Sequence, residues 1–222
     1  MQPELSPVFG EAFAIVRRYP VAALLPAAVL GVLADLLQLV GGGLLSAVAL
    51  GLGLAVAFEL YVAYAERLVL EADRDAERVS VVKLLRSAAP FLPRLLVASI
   101  PAVALPAAAT GLLVVPGLWL LTRWVLYAPV IAREGLGPLA ALHRSSGLVK
   151  GRFWRVLSLA TAALIVEHAV IHVAAQTAEP LLDSQLLALV AAGIAVAAVS
   201  PIAALTISLV YDRLSGSARA EL

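Results

Sequence analysis

Six stretches of this sequence are apolar over the length a helix needs to cross a bilayer, and only one basic residue falls inside any of them. A helix rises 1.5 Å per residue, so about 20 apolar residues cover roughly 30 Å of hydrocarbon. The stretches are Val21 to Val40, Leu44 to Tyr64, Leu95 to Val115, Leu118 to Ala132, Val156 to Ala175 and Leu186 to Tyr211. They take up most of the 222 residues, of which 62% are hydrophobic and 14% charged. A soluble domain draws about a quarter of its residues from the charged set. The excess apolar surface requires lipid. The expected fold class is therefore all-α: a polytopic membrane protein of six transmembrane helices, paired as three hairpins. Gly41-Gly42-Gly43 and Val115-Pro116-Gly117 supply tight turns for the first two hairpins.

The charges orient the bundle. Arg17 and Arg18 precede the first stretch; Arg67, Arg74, Arg78, Lys83, Arg86 and Arg94 lie between the second and third. Arg133, Arg144, Lys150, Arg152 and Arg155 lie between the fourth and fifth, and Arg213 and Arg219 follow the sixth. The three opposite connections carry no basic residue, and the last of them carries Glu179 and Asp183. By the positive-inside rule both termini and the longer loops face the cytoplasm. No basic region precedes Arg17, so the first apolar segment is expected to be retained rather than cleaved. A net charge of +1 gives no field for nucleic acid, and the absence of cysteine removes disulfides and thiolate chemistry. The mixed-charge run from Glu66 to Glu77, apart from its apolar members, is expected to be solvated and mobile.

A unit recurs three times, over about 5–72, 79–134 and 135–214: a short amphipathic segment ending in basic residues, then a helical hairpin. The segments are Val8 to Arg18, Val79 to Arg94 and Pro138 to Arg155, with Pro138 suited to a first helical turn. Such segments lie in the headgroup plane with their apolar side in acyl chains. Arg144, Lys150, Arg152 and Arg155 are the expected contacts for anionic lipid.

Few polar residues fall at depth. Arg123 lies about ten residues from the end of its stretch, roughly 15 Å deep on a continuous helix. A charge there is costly and calls for a carboxylate partner, Glu167 first and Glu59 second. Asp35 lies nearer the other end. His168 and His172 share a helical face at a spacing that can hold a metal, but two ligands do not make a site, so neither metal nor cofactor is expected. Small residues around Gly51 and Gly53 favour close helix packing, and Pro101, Pro106 and Pro201 predict kinks or local unwinding. His143-Arg144-Ser145-Ser146 lacks a third group to orient the histidine, so no catalytic site and no enzyme is expected.

Two longer segments carry a resemblance. Pro116 to Arg123, Ala128-Pro129-Val130, Arg133 to Leu142, Ser145 to Leu148 and Lys150 to Arg155 form one, and Tyr211-Asp212-Arg213 the other. They resemble the bacterial multi-helix membrane domain fused to some glycerophosphoryl diester phosphodiesterases, and its stand-alone relatives of uncharacterised function. The resemblance covers the membrane part only. In the fused proteins the hydrolase is a separate soluble barrel, which needs more residues than remain here.

Two functions from different classes fit these features. One is an accessory or scaffold protein of the bacterial inner membrane that binds lipid, a second copy of itself or a partner membrane protein. The other is a small transporter or lipid-handling protein with a polar cavity around Arg123, Glu167 and Glu59. A solvent-connected cavity at Arg123 distinguishes them.

Overall fold

The protein, a computed structural model, is described over residues 7–38, 44–74, 79–182 and 185–220. The side chains of Asp35, His168, His172 and Glu179, and all of Asp183, lie outside the described residues, so the expectations attached to them do too. Among the described residues every regular element is helical. The helices are α1 (Val8–Arg18), α2 (Pro20–Gln38), α3 (Leu44–Asp73), α4 (Val81–Ala88), α5 (Leu92–Leu112), α6 (Val114–Trp124), α7 (Tyr127–Glu134), α8 (Pro138–Val149), α9 (Phe153–Leu182) and α10 (Gln185–Ala220). A 3₁₀ turn over Ala89–Phe91 joins α4 to α5.

Three described stretches are long and apolar enough to cross a membrane: Val81–Pro106, Val114–Glu134 and Gly193–Gly216. A fourth arises if α1 and the first part of α2 count as one bent span. The bend between them is 95°, and Pro20 explains it. Proline disfavours helical geometry at the residue before it. Tyr19 accordingly leaves the helix at φ −124°, ψ 58°. The second amphipathic segment behaves differently from the first: α4, capped by the Ser80 side chain, runs on into α5 within one apolar stretch of 26 residues.

The α10 helix, 36 residues long, runs against α9, α2, α3 and α1. At its crossing with α2 a Cβ built on Gly31 would meet Val196 Cγ1 at 3.0 Å and the Gly193 carbonyl at 3.4 Å. That is a close helix approach at a glycine of α2; the surroundings of Gly51 and Gly53 lie outside the described residues. Prolines inside helices cause no unwinding; α5 continues through Pro101 and Pro106, and α10 through Pro201. In α2, Pro26 cannot donate to the carbonyl four residues back. The Tyr64 hydroxyl of α3 donates to that carbonyl, on Ala22, at 2.7 Å.

Several expectations need correction. The turn expected at Val115-Pro116-Gly117 sits earlier, at Leu113 (φ −153°, ψ 129°), and Pro116 falls in the first turn of α6, where its missing N–H costs nothing. The fourth span stays one apolar stretch, Val114–Glu134, but a two-residue turn at Val125 and Leu126 divides it into α6 and α7. Of the charged residues expected to be solvated in the run from Glu66, Glu66 itself is buried, because α3 continues to Asp73; residues 75–78 lie outside the described residues. In α8 the apolar face is divided, with Leu139 exposed and Leu142 and Val149 turned inward. Ala141, Leu142, Ser145, Leu148 and Val149 are buried against protein, since α8 packs on α5, α6, α7 and α10.

Candidate functional site

The break between α6 and α7 leaves backbone groups without helical partners, and Pro129 is one cause: it has no N–H for the Val125 carbonyl. Ser145 of α8, fully buried, bridges the gap. Its hydroxyl donates to the Arg123 carbonyl at 2.8 Å and accepts from the Leu126 N–H at 3.2 Å.

Beyond the break, α7 is buried on nearly every side, with Tyr127 through Ala132 inaccessible. Its C-terminal carbonyls meet arginines from two other helices. Gly135 closes α7 in the left-handed region at φ 66°, and its N–H bonds the Ile131 carbonyl at 3.0 Å. Arg67 of α3 donates to the Ala132 carbonyl at 2.6 Å, and Arg94 of α5 to the Gly135 carbonyl at 2.5 Å. Cations at a helix C-terminus also complement its dipole. The Arg67 guanidinium lies over the Phe91 ring at 4.9 Å.

The two charged residues of α7 reach three more helices. Arg133 Nε lies 2.7 Å from Glu66 Oε1 on α3, while its Nη2 donates to Asp212 of α10 at 2.5 Å. Glu134 accepts from Arg144 of α8 at 3.2 Å and from the Tyr211 hydroxyl of α10 at 3.0 Å. Next to Asp212, Arg213 donates to Glu11 of α1. This clasp therefore joins α1, α3, α5, α7, α8 and α10.

Glu66 is its most constrained member. It is fully buried, and although Arg133 is at ion-pair distance, neither carboxylate oxygen has an aligned hydrogen bond among the described residues. The Arg133 to Glu66 contact is thus Coulombic attraction in a low-dielectric setting, where losing the cation would be costly. At the tip of α3, partial burial raises the Asp73 carboxyl above its ordinary value; Asp212 and Glu11 add to the rise and Arg133 opposes it.

The residues expected to share a site at depth do not come together. Arg123 lies over the Trp119 ring, 4.6 Å from its centroid, and among the described residues it has no carboxylate in ion-pair reach. Glu167 accepts from the Ser200 hydroxyl. Glu59 hydrogen-bonds the Tyr127 hydroxyl, which in turn lies 2.9 Å from that of Ser99. Arg123 stands one residue before the end of α6, and the tryptophan four residues back shares its helical face. A small recess nearby is lined by Val125, Leu126, Val156, Ala160, Thr206, Ile207 and Val210, all apolar but one, and does not include Arg123. Among the described residues no cluster of three or more acids and histidines could hold a metal.

Of the expected lipid contacts, Arg144 is instead paired with Glu134, Arg152 is half-buried, and Lys150 and Arg155 are exposed. The sequence reading missed Glu66, Arg67, Ser145, Tyr211 and Asp212 as partners of α7. No protein family, curated protein or solved structure matches this chain in comparisons with known proteins.

Proposed function

We propose that this chain is an integral membrane accessory or scaffold protein of the bacterial cytoplasmic membrane, binding lipid or a partner membrane protein, with its clasped end in the cytoplasm. The observation that carries this reading is the α7 clasp. A transporter must move its helices past one another, and here such movement would separate Arg133 from a fully buried Glu66 and Arg144 from Glu134. Breaking a buried pair costs several kcal/mol, roughly 3–5. The separate partners of Arg123, Glu167 and Glu59 among the described residues also favour the scaffold over a reading in which the three line one cavity.

The orientation rests on the one-sided distribution of basic residues. The relation to the phosphodiesterase-linked membrane domain belongs to the same proposal. It is supported by the way Arg133, Glu134, Ser145, Tyr211 and Asp212, all in the resembling segments, engage the rest of the clasp. No hydrolytic activity comes with it.

The test is reconstitution in sealed vesicles. The scaffold reading expects neither proton flux nor transbilayer movement of labelled phospholipid above that of protein-free vesicles. A flux that depends on Arg123 or Glu59, lost in R123Q or E59Q, would replace this reading with the transporter.

A further inference from the structure

Most basic side chains at the clasped end already have partners. Arg133, Arg144, Arg213 and Lys83 face carboxylates, and Arg67 and Arg94 hold carbonyls. Lys150 and Arg155 differ: both are exposed, and among the described residues neither has a carboxylate within 4.0 Å. They flank Trp154, whose ring stands edge-on to Phe153 and is 77% exposed. Gly151, at φ 79°, turns the chain sharply from α8 into α9, so these residues form one corner. From Leu136 to Val166 the sequence has Arg144, Lys150, Arg152 and Arg155 and no acidic residue to balance them.

An indole left this open in water exposes a large apolar area, whereas at a membrane boundary its ring and N–H are both accommodated. We propose that the corner Lys150–Arg155 is a binding surface for anionic phospholipid, with the headgroup phosphate between Lys150 and Arg155 and Trp154 at the boundary with the acyl chains. This rests on the membrane reading above and narrows it. Arg144 has no part in the surface, because Glu134 holds it. At moderate salt each cation contributes about fivefold to the local enrichment of anionic lipid.

The protein carries three tryptophans, so fluorescence can be confined to one. In a Trp119→Phe, Trp124→Phe protein only Trp154 emits; in a Trp124→Phe, Trp154→Phe protein only Trp119 does. Both are placed in vesicles of phosphatidylcholine and phosphatidylglycerol in which one lipid or the other has brominated chains. Trp154 is expected to be quenched more by brominated phosphatidylglycerol than by brominated phosphatidylcholine at equal mole fraction. The difference should vanish in K150Q/R155Q and persist in R17Q/R86Q, which removes the same charge from exposed positions elsewhere. Equal quenching by the two lipids, or equal loss in both charge variants, overturns the site in favour of diffuse attraction. If Trp119 is quenched and Trp154 is not, the corner fails and the membrane reading stands; if neither is quenched, both fail. Native mass spectrometry of the protein with all its tryptophans asks the same question independently. Retained phosphatidylglycerol should exceed phosphatidylcholine, and K150Q/R155Q should abolish the excess; unchanged retention in that variant overturns the proposal.

Discussion

The Tyr64 hydroxyl donates at 2.7 Å to the Ala22 carbonyl, the group that Pro26 leaves without its helical donor. One side chain on α3 thus repairs a defect in α2 and fixes how the two helices lie against each other. Leaving a buried carbonyl unpaired costs about 1–3 kcal/mol. Tyr64→Phe should therefore lower the unfolding free energy in detergent micelles by that amount. In a Pro26→Ala background, where a backbone N–H again serves Ala22, the same change should cost about 1 kcal/mol or less. Equal losses in both backgrounds would show that the hydroxyl has another role.

Ser145 makes a second such repair, at the break between α6 and α7. Ser145→Ala should cost about 1–3 kcal/mol, because it strands the Leu126 N–H and the Arg123 carbonyl together. Ser158→Ala, which removes only an exposed local bond to the Arg155 carbonyl, should change stability by less than about 0.5 kcal/mol. Thermal unfolding of the two variants side by side decides the matter.

The clasp gives a sharper contrast. Arg133→Met leaves Glu66 buried without its cation, and should cost about 3–5 kcal/mol. Glu66→Met with Arg133→Met should cost much less, since no uncompensated charge remains and Asp212 is 44% exposed to solvent. A double variant as damaged as the single would mean that the Arg133 bond to Asp212 carries the clasp.

At the crossing of α2 and α10, Gly31→Val adds atoms where a Cβ alone meets Val196 Cγ1 at 3.0 Å. The helices must part, at a cost of about 1–3 kcal/mol. Gly10→Ala, where a Cβ meets nothing within 4 Å, is the control and should be neutral or slightly stabilising.

How legible all this was in the sequence depends on whether a feature is local. The stop at Tyr19 and the start at Pro138 are set by proline chemistry at the residue concerned, and both appear where that chemistry puts them. The break before Tyr127 has a local cause too, in Pro129, but the surrounding Trp124 to Ala128 is apolar and hides it in a hydropathy reading. Arg123 stays mid-way along the apolar stretch Val114–Glu134, but depth alone does not name a partner, and the guanidinium lies over the Trp119 ring rather than beside Glu167 or Glu59. Glu66 was invisible for a different reason. On its own it looks like the start of a solvated charge run, and only the long-range meeting of α3 with α7 and α10 shows that Arg133 and Asp212 surround it.

The central claim is a membrane bundle with its clasped, basic end in the cytoplasm, and topology tests it most directly. The chain has no cysteine, so single replacements report cleanly. In intact cells a membrane-impermeant maleimide should label Ser184→Cys without permeabilisation and Lys150→Cys only after the inner membrane is opened. Labelling of Lys150→Cys in intact cells, or of both positions only after opening, would contradict the account.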